Sequence, residues 1–299
     1  MLNKSRSLNV DLAVYDLEDS VSPHLKLEAR NAVTDILSKP RTTDIREQAV
    51  RINAVDSGYA LKDLTEVLKG PFLDTIVVPK VNSAADLHFI TDVIRHTLPE
   101  QARLTSAISK PPIKILALIE SAQAVMSLRE ICTASPYLDG LVFAAEDFAA
   151  DLSITRTPSL SEFLYARSAI VTASKAYNLP SAIHLVCTAI KGDDALFALE
   201  KESTSGKGMG FNGKQCIHPS QVDIVQRIYG PDQKEIEWAV RVVVADKKAE
   251  TAGRGAWTLD GKMIDVPVVK KCIEVIARAE LCGCDIRDLL DEWKDQEPE

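Results

Sequence analysis

Apolar runs of strand length recur along the chain, and each is followed by a stretch with helical periodicity. The runs are rich in Val, Ile and Leu without polar alternation, which is typical of parallel strands that are covered on both faces. Seven such runs lie at 12–17, 49–53, 75–80, 113–120, 140–147, 182–186 and 209–217. Helical stretches follow them at 23–38, 61–69, 84–98, 122–134, 160–178, 192–205 and 220–228.

This βα alternation predicts a single parallel sheet with helices packed on it. In a chain of 299 residues we expect a TIM-type (β/α)8 barrel in preference to a doubly wound sheet, with one strand of the usual eight missing. We assign residues 1–231 to the barrel. Residues 232–299 form a C-terminal helical extension, with a long charged helix at 234–251 and a final helix at 266–281.

Composition and charge argue against two classes of protein. The 46% hydrophobic content suffices for a sizeable core, but the longest apolar runs fall far below the roughly 20 residues that span a bilayer, so we expect no membrane segment. The net charge is −8 and the basic residues are scattered, so we expect no nucleic-acid partner. The six cysteines form no C-x-x-C pair, and we interpret them as reduced thiols in an intracellular compartment.

Polar residues that close the apolar runs are the candidates for chemistry, because barrel enzymes react at the C-terminal ends of their strands. Glu120 and Asp147 end consecutive runs, which barrel order makes neighbours. Two carboxylates, completed by water and substrate oxygens, are typical of a Mg²⁺ site, and no His/Cys set with zinc spacing is present. Spacing alone leaves open the alternative that both are ordinary charges at the rim.

Three acids lie together after the first run, namely Asp16, Glu18 and Asp19. Acids so close repel one another unless a cation or a water network holds them. We therefore predict that they accept hydrogen bonds from waters on the metal, and we give Glu146 the same role. The alternative for Asp19 is that it caps the following helix together with Ser20.

Two cations and a histidine complete the candidates. Arg51 ends an apolar strand, where an unpaired buried guanidinium is costly, so its partner is one of the acids at 16–19, a substrate oxyanion, or both. Lys80 allows the same two interpretations, with a structural ion pair favoured. His218 is a lone histidine beside a proline, and more often such a residue is structural. As the functional alternative, we assign His218 to the wall of a cofactor-binding site.

Seven sequence blocks in this order carry a recognisable pattern: YDLEDSV at 15–21, VRIN at 50–53, VPKV at 78–81, ALIES at 117–121, AEDF at 145–148, GFNGKQCIHP at 210–219 and GKMIDVP at 261–267. Together they resemble the citrate lyase β-subunit-like (HpcH/HpaI aldolase/citrate lyase) family, and within it the mitochondrial citramalyl-CoA lyase branch. The match runs from the first residues to about residue 281.

The resemblance implies a TIM barrel, usually trimeric, that cleaves or forms a carbon–carbon bond between a 2-oxo acid and an acyl-CoA. In the family, the positions that match Glu120 and Asp147 bind Mg²⁺, which acts as a Lewis acid on the oxo acid. The Arg51 position contacts the thioester and its enolate. The Asp265 position supplies an acid/base carboxylate on a C-terminal segment that covers a neighbouring subunit's site.

Further expectations concern the cofactor and the location of the protein. The loop of Ile217, His218 and Pro219 resembles the part of the family that lies along CoA, and we place Lys80 at the substrate. The partners are then a small acyl-CoA and a 2-oxo acid such as pyruvate or glyoxylate. The resemblance implies a mitochondrial location, whereas a natively shortened form would be cytoplasmic.

Two departures from the family pattern keep three hypotheses open. Family members begin with a strand that ends in a Tyr-Val-Pro-Gly-like turn, which we do not find. Relatives commonly have Asp at the His184 position and another acid near Ala189, so this part of the rim has lost negative charge. The hypotheses are an active Mg²⁺-dependent lyase for citramalyl-CoA or malyl-CoA, a pseudoenzyme that binds CoA or metal without turnover, and a metal-dependent aldolase that does not use CoA.

Overall fold

The computed structural model describes residues 8–42, 44–98 and 113–299. The chain divides into two compact units, Met1–Val222 and Asp223–Glu299. We predicted a boundary after residue 231, and the division lies nine residues earlier, after Val222.

Seven strands of the first unit form one parallel sheet in chain order. They are β1 (Val10–Asp16), β2 (Ile45–Arg51), β3 (Thr75–Val78), β4 (Lys114–Ile119), β5 (Leu138–Phe143), β6 (Ser181–His184) and β7 (Gly213–Lys214). Within the described residues no pairing joins β7 to β1, so the sheet is a half-barrel with an open side. The predicted α/β fold of TIM type is confirmed, and the described residues contribute seven strands to its sheet.

Helices of the first unit follow the strands in turn. They are α1 (Lys26–Leu37), α2 (Ala60–Val67), α3 (Ala84–Thr97), α4 (Ala122–Met126), α5 (Leu128–Thr133), α6 (Ala145–Leu152), α7 (Leu164–Ala176) and α8 (Asp193–Met209). Helix α9 (Val222–Tyr229) follows β7 and, apart from Val222, belongs to the second unit. No helix in the described ranges is long and apolar enough to cross a membrane.

The sequence pattern misplaced the end of the fifth strand. We predicted a strand over 140–147, but β5 ends at Phe143 and α6 begins at Ala145. The Ala-Glu-Asp-Phe segment continues an apolar run, but it forms the first turn of α6, and its Phe148 is a buried residue of that helix. Phe148 packs edge-on against Phe143 and Phe163, with ring centroids 5.4 and 6.2 Å away.

Side chains inside the half-barrel alternate along each strand, as β geometry requires. One buried cluster contains Ala49, Val77, Leu116, Leu118 and Val142, with Leu12, Ala144 and Ile183 packed against it. The next positions on this inner face are Asp16, Arg51 and Glu120. The layer of apolar side chains is therefore followed by charged residues at the C-terminal ends of the strands.

The second unit is built around a helix pair and a hairpin. Its elements are α10 (Gln233–Thr251), β8 (Trp257–Leu259), β9 (Lys262–Ile264), α11 (Val266–Leu281) and α12 (Arg287–Glu292). Asp260 and Gly261 have φ of 50° and 71°, the backbone of a two-residue turn that joins antiparallel strands. The final helix predicted at 266–281 has the predicted ends.

Candidate active site

Arg51 lies at the centre of a charged network at the strand ends. Its Nε and Nη2 donate to Asp16 Oδ1 and Oδ2 at 2.7 and 2.6 Å. Its Nη1 lies 3.0 Å from Glu18 Oε2 and 3.7 Å from Asp19 Oδ2. The structure therefore supplies the acidic partners that we predicted for this guanidinium.

Asp16 is saturated with protein donors. Besides Arg51, the backbone N–H of Glu18 donates to Oδ1 at 2.9 Å and that of Ser20 to Oδ2 at 3.1 Å. Each carboxylate oxygen thus has two donors. Asp16 holds Arg51 in place, and its predicted contact with a metal-bound water stays a prediction.

Opposite charge sets the ionisation of this pair. Burial alone would raise the pKa of Asp16, but the hydrogen bonds and charge of Arg51 outweigh it and lower that pKa to about 2. Burial would lower the pKa of Arg51, and the carboxylates around it raise that pKa above its usual value. The pair is therefore ionised at every physiological pH.

Glu18 connects this pair to Lys80. Glu18 is buried, and its Oε1 lies 3.3 Å from Lys80 Nζ. Burial raises the pKa of Glu18, and the charges of Arg51 and Lys80 partly offset the rise. Lys80 has φ of 51°, which a non-glycine residue adopts only under strain. The favoured structural ion pair of Lys80 is present, and its contact with substrate stays a prediction.

Glu120 and Asp147 are close enough to perturb each other. Glu120 follows β4 on the inner face and is 5% exposed, whereas Asp147 is exposed in the first turn of α6. The two elements are adjacent because the backbone N–H of Ala144, which precedes α6, donates to Ile119 O at 3.1 Å. We had predicted that Asp147 ends a strand. The structure places it instead in the first turn of a helix.

The pKa of Glu120 is the most informative in this region. Burial raises it first, the charges of Asp147 and Glu18 raise it further, and the result is about 8. A backbone hydrogen bond and the charge of Lys80 only partly offset the rise. A buried carboxylate held among other carboxylates is a position that a cation stabilises.

The donor set fits Mg²⁺ better than zinc. Among the described side chains no group of three or more His, Cys, Asp or Glu residues is placed to hold a metal ion. Zinc sites need such a group, whereas Mg²⁺ keeps several waters and is bound by one or two carboxylates with substrate oxygens. Glu120 and Asp147 meet the second requirement.

Glu146 belongs to a different network. It is half-exposed and forms an ion pair with Arg156. Arg156 also donates to Glu202 Oε1 at 2.6 Å and to Val186 O at 3.1 Å. The structure gives Glu146 an arginine partner, and its predicted role beside metal-bound waters stays a prediction.

The loop of Ile217, His218 and Pro219 is exposed. His218 Nδ1 accepts from the backbone N–H of Ser220 at 3.2 Å and lies 2.8 Å from its Oγ, so the ring caps the turn that follows. The structural role that we named as the usual one is present. The placement of this loop along CoA stays a prediction.

Asp265 lies in the second unit, where it is the N-cap of α11. Its Oδ1 accepts from the backbone N–H of Val268 at 3.2 Å. This contact explains why an acid precedes Val266 and Pro267. The acid/base role implied by the resemblance stays a prediction.

His184 faces the helices and not the barrel interior. Its neighbour Ile183 packs on the inner cluster, and His184 on the opposite face is fully buried. Arg167 Nε donates to its Nε2 at 3.0 Å, and the ring lies 4.7 Å from that of Phe211. The sequence departure at His184 therefore changes the packing between sheet and helices, and we were wrong to place it at the rim.

Sequence reasoning missed two buried lysines, of which Lys26 supports the site and Lys214 supports the network of Arg156 and Glu202. Lys26 Nζ donates to Leu17 O and Glu18 O at 2.7 and 2.8 Å, which fixes the turn that carries Glu18. Lys214 Nζ donates to Leu185 O at 2.7 Å and pairs with Glu202 Oε2 at 3.2 Å. Because surface lysines are common, their sequence positions alone gave no signal.

Comparison with known proteins agrees with this arrangement. The model of one family, HpcH/HpaI aldolase/citrate lyase, matches residues 1–219. The chain belongs to this family. The match includes Arg51, Glu120 and Asp147, and it ends before Asp265.

Individual relatives of the HpcH/HpaI aldolase/citrate lyase family extend the similarity to most of the chain. Mitochondrial citramalyl-CoA lyase of Homo sapiens is 32% identical over 289 residues, which cover 93% of this chain and 81% of that protein. Citrate lyase subunit beta of Escherichia coli (strain K12) is 35% identical over 285 residues, which cover 95% and 90%. The family resemblance inferred from the seven blocks is confirmed.

A solved structure is similar to this chain in fold. The protein CitE of Mycobacterium tuberculosis, in complex with magnesium, acetoacetate and coenzyme A, is 29% identical with a TM-score of 0.69. The alignment covers 91% of each chain.

Proposed function

We propose that this member of the HpcH/HpaI aldolase/citrate lyase family is a Mg²⁺-dependent acyl-CoA lyase. Its substrate is a hydroxyacyl-CoA of the citramalyl-CoA or malyl-CoA type. The products are acetyl-CoA and a 2-oxo acid such as pyruvate or glyoxylate, and the reverse condensation uses the same groups. Two relatives that are named lyases, and a related structure that holds magnesium and coenzyme A, support this proposal.

The buried Glu120 beside Asp147 carries the proposal. Burial and neighbouring carboxylates raise the pKa of Glu120 to about 8, so its charged form is unfavourable without a counter-charge. A divalent cation supplies that charge, and the exposed Asp147 leaves room for waters and substrate around it. When bound by these two residues, Mg²⁺ supplies a Lewis acid for substrate oxygens.

The remaining residues handle charge and protons. Arg51 is held by Asp16 and offers a fixed positive charge where the enolate of acetyl-CoA develops. Lys80 adds a second, half-exposed cation near Glu18. We propose Asp265 as the group that moves a proton to or from the methyl carbon of the acetyl unit. The loop at Ile217 is the proposed contact with CoA.

Assembly and location follow from the family in the same way. We propose a homotrimer in which Asp265 serves the site of a neighbouring subunit, and light scattering of the purified chain measures its mass. We also propose a mitochondrial location, in line with the name of the human relative. Cell fractionation with an antibody to the chain tests it.

A product assay tests the reaction. The full chain is incubated with Mg²⁺ and either citramalyl-CoA or malyl-CoA, and the acetyl-CoA and 2-oxo acid released are measured. We expect turnover that Glu120→Gln reduces at least about a hundredfold, because the variant loses a metal carboxylate. Glu130→Gln on the exposed side of α5 is the matched control and keeps full activity.

Two other outcomes would replace the proposal. CoA binding without any product from the substrate panel would identify a pseudoenzyme. One observation favours this alternative. The side chain of Val14 points to the inner face of β1 and is 45% exposed, so the half-barrel is open on that side. Cleavage of free hydroxy-acids without CoA binding would identify a CoA-independent aldolase.

A further inference from the structure

A cationic cavity of about 330 Å³ lies within the second unit. It is lined by Lys234, Glu237, Trp238, Arg241 and Lys262. The first four are spaced i, i+3, i+4 and i+7 along α10, so they share one face of that helix. Lys262 comes from β9 of the hairpin. Two separate elements thus bring three cations to one cavity, in a chain whose net charge is −8.

Arg241 is held rigidly at the wall of this cavity. Its Nη1 and Nη2 donate to Asp260 Oδ2 and Oδ1 at 2.7 and 2.9 Å, and its Nε donates to Gln296 Oε1 at 2.9 Å. Asp260 lies in the tight turn of the hairpin, so the same turn fixes both Arg241 and the start of β9. A guanidinium has five N–H donors, and these contacts use three of them.

The two lysines have no comparable partner. In the part of the chain that the structure describes, neither Lys234 nor Lys262 forms a salt bridge, defined as an N···O distance of at most 4.0 Å to a carboxylate. Lys262 Nζ instead lies 5.4 Å from the ring centroid of Trp238. Two acids offset part of this charge, because Glu237 lines the cavity and Asp260, the partner of Arg241, also interacts with the charge of Lys262. Cations gathered in this way raise the local potential and attract an anion.

We propose that this cavity binds the phosphate group of a small soluble molecule. Phosphate oxygens accept strong hydrogen bonds from lysine and arginine, and a phosphate dianion matches two unpaired lysines beside a fixed arginine. The volume falls at the lower end of the range for small-molecule sites, so it holds more than an inorganic ion. The indole of Trp238 offers a flat surface to the rest of the ligand.

The phosphate has two possible sources with the same chemistry. One is the phosphate groups of CoA, and the other is a free phosphorylated compound such as a nucleotide or polyphosphate. Binding at this cavity does not require turnover, so the proposal stands apart from the lyase reaction.

Calorimetric titration of the full chain with sodium pyrophosphate, without added Mg²⁺, tests the site. We expect saturable binding that the double variant Lys234→Gln/Lys262→Gln weakens about tenfold, because each half-solvated lysine contributes a modest share of the affinity. The matched control is Lys247→Gln/Lys270→Gln, which removes the same charge from exposed positions of α10 and α11 outside the cavity. This control keeps the affinity of the unmodified chain.

Repeating the titration in the presence of CoA identifies the source of the phosphate. Displacement of pyrophosphate by CoA, in the unmodified chain and not in the double variant, assigns the site to the phosphates of CoA. Undiminished pyrophosphate binding assigns it to a separate phosphorylated compound. The proposal is overturned if pyrophosphate shows no saturable binding, or if the control variant weakens binding as much as Lys234→Gln/Lys262→Gln does.

Discussion

Arg51 and Asp16 face each other across β2 and β1 and form a two-point ion pair, with N···O distances of 2.7 and 2.6 Å. Two backbone N–H groups complete the hydrogen bonding of Asp16. The position of the guanidinium is thus fixed by the sheet before any substrate binds. Preorganised charge of this kind contributes more to a transition state than charge that must first move into place.

Replacing Arg51 by lysine tests this preorganisation. Lysine keeps the charge but cannot form the two-point pair, so we expect Arg51→Lys to lower kcat/KM about a hundredfold while the protein stays folded. Steady-state assays and circular dichroism measure both. The control is Arg46→Lys on the same strand, whose pair with Asp11 is exposed and 3.7 Å long. Equal losses in the two variants would show that Arg51 has no special position.

Metal binding should depend on pH through Glu120. Its pKa of about 8 in the metal-free protein means that most molecules carry a proton there at pH 7. Since Mg²⁺ needs the carboxylate, binding releases that proton, and we expect the affinity to rise up to about tenfold per pH unit below pH 8. Above pH 8 the affinity levels off. Calorimetry with Mg²⁺ at pH 6.5, 7.5 and 8.5 measures the slope.

Asp147 gives a second arm for this experiment. Its charge is one of the causes of the raised pKa of Glu120, so Asp147→Asn should weaken Mg²⁺ binding and also shift the levelling to lower pH. Asp151→Asn on the same helix, whose Oδ2 accepts from the backbone N–H of Ala122 at 2.8 Å, should leave the levelling unchanged. A metal affinity that is independent of pH in the unmodified chain would contradict the assignment of Glu120 as ligand.

The sequence was most informative where a residue's chemistry follows from its place in the sheet. Arg51 ends a strand on the inner face, so a buried guanidinium with acidic partners was predictable from the apolar run before it. The parallel order of strands was predictable for the same reason. The predicted strand order also placed Glu120 and Asp147 on neighbouring elements, although spacing alone could not exclude that both are ordinary charges at the rim.

Other features depend on contacts that a pattern does not carry. Asp147 lies on a helix in which the next residue, Phe148, packs against Phe143 and the more distant Phe163, and strand propensity does not report such aromatic contacts. His184 was placed at the rim because its inward or outward direction depends on strand register, and a shift of one residue reverses it. The partners of Glu146 and Asp16 were unknown until Arg156 and the backbone donors were positioned.

The backbone of Lys80 offers a third prediction. Its φ of 51° costs about 1–2 kcal/mol for an ordinary residue, and its backbone N–H is near enough to the Glu120 carboxylate to lower the pKa of that group. Lys80→Gly relieves the strain and Lys80→Val increases it, while both variants lose the ion pair with Glu18. We therefore expect Lys80→Val to be less stable than Lys80→Gly by about 1–2 kcal/mol and to bind Mg²⁺ more weakly. Urea unfolding and calorimetry measure the two effects.

A matched position separates the strain from its effect on the metal. Asn178 has φ of 55° after α7, so Asn178→Val introduces the same backbone conflict elsewhere in the unit. We expect it to lower stability by a similar amount and to leave Mg²⁺ affinity unchanged. If Asn178→Val weakens Mg²⁺ binding as Lys80→Val does, the effect is one of general stability and the link from Lys80 to Glu120 is lost.

The last prediction concerns stability at low pH and the fully buried His184. Burial, and then the charges of Lys214, Arg167 and Arg156, lower its pKa to about 2, so the ring stays neutral in the folded protein. In the unfolded chain the ring takes up a proton below its ordinary pKa of about 6.5. Unfolding therefore binds a proton in this range, and stability falls as pH falls from 6.5.

From pH 6.5 to pH 5.0 this one ring should lower the free energy of unfolding by about 2 kcal/mol. His184→Gln removes the titrating group and leaves an amide oxygen that can accept from Arg167 Nε. We expect its unfolding free energy to change less over this range than that of the unmodified chain. Urea unfolding at both pH values measures both proteins, and identical slopes would mean that His184 is not held neutral by the fold.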